Sequence, residues 1–440
     1  MISEEKRAGA KPESGQSPDD GVKRMRTSAA VQAYQKEYFL ELQDRASHGE
    51  PVLFMGANTP HEIAEAMDIP FVVDQWWMAI NAAKRLLPYY RDLSDKRRVE
   101  KGYDQLDVCG MCSGSLTQLA EQDPEHAAYG GLPKLTAIVQ SERFCSGQIR
   151  AAQLELRDYK KQGFDVPYFA LESTAPTPYP HYPDWWERIN EHWDEIIEPH
   201  RVDYRVEELK ALIKFLEVTT GRSFSRSRLT EVLEMENEQE MYWKMARDLI
   251  AKTVPAPVDV VDQVANYPAQ WHRGTAKGRD LARMFYEEVK ERVANGEAAY
   301  SKEKFRLQWL KAGNWGDTAL YRYFADKYGA IFVNSIYLSI AADGYARSVK
   351  GDPLRAVASR HVFLGLYAGT GWDLKEARTH KVDAAFMFEN NCPAARHMNH
   401  LQTKLAFEAA GIPILLLKPN WDPARMRAEA SNFIEKRLLS

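Results

Sequence analysis

Four cysteines carry the first chemical signal in this 440-residue chain: Cys109, Cys112, Cys145 and Cys392. They are too few for a disulfide framework at this length, so reduced thiols are expected, either buried, catalytic or bound to metal. Their placement is informative. Cys145 follows the apolar run Leu135-Thr136-Ala137-Ile138-Val139 and precedes a helical pattern from about residue 147. Cys392 follows the apolar run 383–388 and stands before Pro393, a residue favoured at the first position of a helix. Cys109 and Cys112 form a Cys-x-x-Cys just ahead of the segment SGSLTQLA, which also reads as a helix start. Every cysteine thus falls at a loop-to-helix junction, where free N–H groups and the positive end of the helix dipole stabilise thiolates and anionic clusters. Soft thiolates so placed suit iron or zinc. Zinc fits less well because the second paired arm of a structural site is missing. A thiol-redox role for Cys109 and Cys112 lacks the apolar strand that a thioredoxin-like motif follows. His397 and His400, one helical turn apart after Cys392, read as polar residues of a helix face.

Several other chemistries are excluded by their missing motifs. No Gly-x-Gly-x-x-Gly follows a strand and no Gly-Lys-Ser/Thr phosphate loop occurs, so neither a nicotinamide nor an ATP site is supported. A Gly-x-Ser-x-Gly elbow is also missing. The 58 basic and 62 acidic residues leave a net charge of −4, which gives no general attraction to nucleic acid or anionic membrane. No apolar run is long enough to span a bilayer, and the first 26 residues are charged and polar where a signal peptide is apolar, so a cytoplasmic protein is expected.

The elements that must position the cysteines follow from apolar periodicity. Residues 1–27 mix Gly, Pro, Ser and charge and read as a disordered arm. A helix is predicted over 29–45. Strand 52–55, a turn at Gly56-Ala57-Asn58, a helix start at Thr59-Pro60-His61-Glu62 and strand 69–73 complete a βαβ unit. Strand 135–139, a helix over 147–161 and strand 166–171 form a second unit. The Pro-rich stretch APTPYPHYPDWW at 175–186 interrupts the pattern, and helical periodicity then dominates residues 200–298. Strands at 305–309, 330–333, 383–388 and 412–417, with helices at 393–410 and 423–438, restore alternation. The expected fold is α/β: two parallel-sheet domains, 28–175 and 301–440, facing a cleft, with a helical region at 176–300 inserted between them. Loops at the carboxyl ends of parallel strands are where such sheets bind ligands.

Several short segments in this order and spacing resemble the 2-hydroxyacyl-CoA dehydratase and benzoyl-CoA reductase superfamily, across roughly residues 50–438. They are Thr59-Pro60-His61-Glu62-Ile63 before an Ile-Pro strand, Asp107-Val108-Cys109, Cys145 after an apolar strand, and Asn390-Asn391-Cys392. Arg273-Gly274-Thr275, Lys304-Phe305-Arg306-Leu307 with Asn314-Trp315, Gly411-Ile412-Pro413 and Asp422-Pro423-Ala424-Arg425 are similar as well.

The resemblance implies two α/β domains with a [4Fe–4S] cluster held by three loop cysteines between them. It also implies a homologous second subunit, an ATP-hydrolysing iron–sulfur activator protein that delivers low-potential electrons, and an acyl-CoA substrate reduced by one electron. Carried over by position, Cys109, Cys145 and Cys392 match the ligands. Cys112 departs from the pattern: Cys109 ligates with Cys112 as a spectator, or the reverse, or both ligate and close the fourth iron site. The Asp-Val-Cys context, the Arg-Gly-Thr element and the chain length lean toward the larger cluster-binding subunit of benzoyl-CoA reductase. An (R)-2-hydroxyacyl-CoA dehydratase subunit is the main alternative, and a clusterless structural subunit is the alternative from another class. Arg143, Arg150 and Arg273 are candidates for coenzyme A phosphates. His61, His181 and Glu389 are candidates for proton transfer, with a solvated surface role as the plainer reading of each. Asp74-Gln75-Trp76-Trp77 and Tyr182–Trp186 read as pocket lining or as core.

Overall fold

The structure, a computed structural model, describes residues 24–102, 121, 123–141, 146–172, 184–311, 313–315, 317–363, 369–389, 400–418 and 423–440. Helix α1 (Arg26–Ser47) leads into β1 (Leu53–Met55), α2 (His61–Ala66), β2 (Phe71–Val73), α3 (Asp74–Ala83) and α4 (Leu87–Glu100). Two short 3-10 turns precede β3 (Ala137–Ser141), α5 (Ser146–Lys160) and β4 (Tyr168–Leu171). A helical stretch follows: α6 (Trp185–Ile196), α7 (Pro199–Thr220), α8 (Arg226–Lys252), α9 (Val260–Asn266), a 3-10 turn (Tyr267–His272) and α10 (Ala276–Ala294). Alternation then resumes with β5 (Phe305–Leu310), α11 (Leu320–Tyr328), β6 (Ala330–Ser335), α12 (Ile336–Asp343), α13 (Pro353–Phe363) and α14 (Thr370–Thr379). The chain closes with β7 (Ala384–Phe388), α15 (His400–Ala409), β8 (Ile414–Leu417) and α16 (Pro423–Arg437).

Among the described residues, eight strands form two four-stranded sheets, ordered β2-β1-β3-β4 and β6-β5-β7-β8, and each described pairing is parallel. Written by position, both orders are 2-1-3-4. In each sheet the chain therefore reverses its direction of travel between the first and third strands, which makes β1/β3 and β5/β7 the topological switch points. The second sheet is buried on both faces. Ala384 and Phe386 of β7 join one apolar cluster with Leu307, Trp309 and Phe332, while Ala385 and Met387 join another with Ile331 and Val333. Two covered faces explain why these strands read as continuous apolar runs rather than alternating ones. Around the first sheet, Phe54, Val72 and Ile138 share a cluster with Leu212 of α7, Trp243 of α8, Leu338 of α12 and Val357 of α13. The helices between the sheets are thus part of the first sheet's core. Trp76 and Trp77 of α3 are buried there too, as the core reading expects, and Trp77 also borders a small cavity.

Helix α1 has no side-chain cap of its own. Its free N–H groups are taken by two carboxylates far along the chain. Asp262 accepts from Met25 N at 3.2 Å and from Ser28 Oγ at 2.8 Å, and Glu288 accepts from Arg26 N and Thr27 N, each at 2.8 Å. Negative charge at a helix amino terminus satisfies orphan donors and opposes the dipole. Further along, Tyr38 Oη donates to Phe71 O and Gln43 Nε2 to Tyr129 O, so the same helix is pinned to the first sheet's lobe.

Candidate functional site

All four cysteines lie outside the described residues, but the strands that deliver two of them are described. β3 ends at Ser141 and β7 at Phe388, so Cys145 and Cys392 each come four residues past the end of the third strand of their sheet. α5 begins at Ser146, directly after Cys145, as the junction reading requires. Cys109 and Cys112 fall between α4 and β3. The donor set fits an iron–sulfur cluster in its chemistry: three thiol loci, two of them issuing from the carboxyl edges of equivalent strands. Among the described residues, no group of three or more His, Cys, Asp and Glu forms a metal site.

At the first switch point the turn after β1 is fixed by short polar contacts. Asp74 Oδ1, at the carboxyl end of β2, accepts from Ala57 N at 3.0 Å. Thr59 Oγ1 donates to Gly56 O at 2.7 Å. His61 Nε2 donates to the same carbonyl at 3.0 Å, which leaves its Nδ1 to accept from Arg273 Nη2 at 3.1 Å. Burial, then the Arg273 and Arg360 guanidiniums, hold His61 well below the usual imidazole range. His61 is therefore a neutral, fully buried strut, neither proton donor nor surface residue.

Arg273 is likewise withdrawn from any role on a coenzyme phosphate. It is 1% exposed, donates to Gln270 O at 2.8 Å, lies 3.3 Å from Glu236 and stacks 4.0 Å over Tyr345. Arg360 Nη1 donates to Glu236 at 2.8 Å and its Nη2 donates to Glu62 at 2.9 Å. This buried cluster ties α2, next to the first switch point, to α8 and to the end of α13. Burial pushes Glu236 and Glu240 up to about 8. Arg143 and His181 lie outside the described residues, as does the side chain of Arg150. Glu389 is half-buried, and its N–H closes the sheet by donating to Leu417 O at 2.7 Å.

The second switch point is built differently. Lys311, the first residue after β5, has φ 62° and is 4% exposed, with its ammonium paired to Asp373 of α14. Tyr337 Oη accepts from Gly313 N at 3.0 Å and from Trp315 Nε1 at 2.8 Å, and Tyr321 Oη accepts from Asn314 N at 2.7 Å. Burial pushes the Asp373 carboxyl up to about 6, against the pull of Lys311. Behind it, Arg247 bridges Asp343 at 2.8 Å and Glu376 at 3.0 Å. These buried ion pairs were missed in the sequence. Their one signal there is charge inside an apolar helical stripe, as at Glu236, Glu240 and Arg247 among Leu229, Leu233, Trp243 and Ile250.

A cavity of about 200 Å³ lined by Trp77, Asp123, Gly131, Lys134, Leu135 and Phe164 sits by the residues that enter β3 and β4. No helix among the described residues is long and apolar enough to cross a membrane.

Two parallel sheets of one strand order, with cysteine segments issuing from equivalent carboxyl edges, define an α/β architecture built around a pair of switch points. The chain belongs to the 2-hydroxyglutaryl-CoA dehydratase D-component family, whose model matches residues 57–434. It is similar to the (R)-2-hydroxyisocaproyl-CoA dehydratase alpha subunit of Clostridioides difficile, with 22% identity over 371 residues covering 83% of each chain. The (R)-phenyllactyl-CoA dehydratase alpha subunit of Clostridium sporogenes is also similar, with 22% identity over 325 residues, 70% of this chain and 72% of that one. Both relatives are dehydratase subunits, so the comparisons favour the dehydratase alternative over the lean toward benzoyl-CoA reductase.

Proposed function

We propose that this chain is the alpha-type subunit of an (R)-2-hydroxyacyl-CoA dehydratase, with Cys109, Cys145 and Cys392 gripping a [4Fe–4S] cluster between its two switch points. The observation that carries the reading is the matched position of Cys145 and Cys392, four residues beyond equivalent strands, in a chain whose family match spans nearly its whole length. Cys112 would be the spectator thiol. The cluster, when bound by the other three, would supply a low-potential electron and Lewis acidity toward the substrate. The chain's own contribution is positional: Asp74 and His61 fix the turn after β1, and Tyr337 and Tyr321 fix the loop after β5. A homologous second subunit and an ATP-hydrolysing iron–sulfur activator complete the system, consistent with the lack of a phosphate loop in this chain. The net reaction removes water from the hydroxyacyl thioester to leave a 2-enoyl-CoA.

Anoxic purification followed by iron and acid-labile sulfide analysis tests the reading. About four of each per chain are expected. Cys145→Ala and Cys392→Ala should lose the iron, whereas Cys112→Ala should keep it. With partner, activator and ATP, an (R)-2-hydroxyacyl-CoA should be dehydrated and benzoyl-CoA left unreduced. A colourless, iron-free protein from strictly anoxic cells overturns the proposal, and ring reduction of benzoyl-CoA overturns its choice of substrate.

A further inference from the structure

The segment that enters β3 has a backbone that neither switch point explains. Tyr129, Gly130 and Gly131 are left-handed in succession, with φ of 54°, 79° and 100°. A tyrosine is disfavoured there relative to glycine, and such residues persist where their surroundings over-determine them, often at ligand sites. Two helices supply those surroundings. Gln43 of α1 donates from its amide nitrogen to Tyr129 O at 3.0 Å and to Gly131 O at 2.9 Å, and Phe39 stacks on the Tyr129 ring with centroids 5.3 Å apart. Asn81 of α3 accepts from Ala128 N at 3.2 Å.

Held in this way, the segment walls the cavity of about 200 Å³ against Trp77 of α3 and Phe164. That volume lies below the roughly 300–1,000 Å³ of sites for drug-sized ligands, so a small metabolite fits and an acyl-CoA thioester does not. The described lining is apolar at Trp77, Leu132, Leu135 and Phe164, and it carries one charge of each sign, Asp123 and Lys134. Asp123 is fixed in place: its Oδ1 accepts from Glu125 N at 3.0 Å, and its Oδ2 lies 2.6 Å from His126 Nδ1. His126 in turn stacks on Tyr89 at 4.3 Å. The His126 hydrogen bond holds the Asp123 carboxyl below its usual range, so it is ionised at neutral pH. An ionised carboxylate offers about four acceptor positions, so these two contacts leave capacity for another donor. Lys134 is exposed and enters no ion pair among the described residues, so the two opposite charges do not neutralise each other.

We propose that this cavity binds a small zwitterion with an apolar side group, of the class of free α-amino acids. Its ammonium meets Asp123, its carboxylate meets Lys134, and its side group lies against Trp77 and Phe164. A simple carboxylic acid would face the Asp123 charge unpaired, and a simple amine would face that of Lys134. Only a molecule with both charges satisfies both residues, and charge-assisted hydrogen bonds make that preference strong.

The test is isothermal titration calorimetry of the full chain with L-norleucine, hexanoate, which lacks the ammonium, and pentylamine, which lacks the carboxylate. Norleucine should bind, and each analogue should bind about tenfold or more weakly, as expected for one lost hydrogen bond to a charged group. Asp123→Asn should lower norleucine to the level of hexanoate, and Lys134→Met should lower it to that of pentylamine. Ala127→Leu, which enlarges a residue of the lining, should remove binding of all three. Lys134 is exposed, so Lys134→Met is expected to fold like the wild type and decides the matter if the other variants do not fold. No heat with millimolar norleucine, equal affinity for hexanoate, or unchanged norleucine binding in Lys134→Met overturns the inference. Either result leaves the dehydratase reading standing, since none of the described lining residues is a cysteine.

Discussion

The two halves of the molecule share a strand order and differ in how each secures its switch point. In the first, a carboxylate and a neutral imidazole do the holding: Asp74 accepts from Ala57 N, and His61 donates to Gly56 O. In the second, two phenols hold the loop, and an ion pair anchors a lysine in a conformation suited to glycine. Topology therefore fixes where a loop emerges, while local side chains decide its charge and rigidity. The first turn has a glycine and an alanine at the strand end, and the second has a lysine whose ammonium is buried against Asp373.

The largest effect should come from breaking the buried cluster that ties α2 to α8 and α13 around the first sheet. Arg360→Met strands Glu62, which is 0% exposed, and Glu236, and breaking one partner out of such a buried set costs about 3–5 kcal/mol. Urea unfolding checks it, and a loss below about 1 kcal/mol would show that Arg360 does not hold these helices together. Next come the loops themselves. Tyr337→Phe removes the acceptor of Gly313 N and Trp315 Nε1, and Asp74→Ala removes that of Ala57 N; each should cost about 1–3 kcal/mol. If the two switch points are independent, the double variant should be additive in the same unfolding assay, since separated sites without shared partners usually add.

The smallest effect is a slope with pH. Asp373 sits at about 6 in the folded protein, above the value of about 3.9 for an unfolded aspartate, so the folded state binds the extra proton between these values. Its stabilising contribution is present below about pH 4 and is lost as pH rises through about 6. Glu236 and Glu240, at about 8, add the same sign over a wider range. Unfolding free energies at pH 4 to 7 should therefore fall less steeply in Asp373→Asn than in the wild type. Equal slopes would show that Asp373 titrates as if unfolded.

The eight described strands were legible as short apolar runs bounded by turns, and in the second sheet the runs are continuous because both faces are covered. The junction between β3 and α5 that carries Cys145 was legible for the same reason, whereas the helix start expected after Cys392 lies outside the described residues. Helix α3 was not: DQWWMAINAA is apolar on nearly every side, so its aromatics signal burial but no period. The side-chain roles proved harder still. His61 and Arg273 have the chemistry of proton and phosphate handling, and only the fold reveals that 212 residues of separation collapse into one buried hydrogen bond. Lys311 and Asp373 gave no signal, since neither a left-handed strand end nor a pairing across 62 positions has a periodicity to detect.

The borrowed cap of α1 bears on the order of assembly. A helix whose amino end is sealed by Asp262 and Glu288 cannot complete that end while a ribosome has yet to make them, although domains commonly fold from the amino terminus as synthesis proceeds. Val31, which packs against Ala269 and Leu281, lacks that cover through the making of more than half the polypeptide, whereas Phe39 meets Trp76 and Trp77 far earlier. The amino end of α1 is thus fastened long after the rest of the helix can dock on the first sheet.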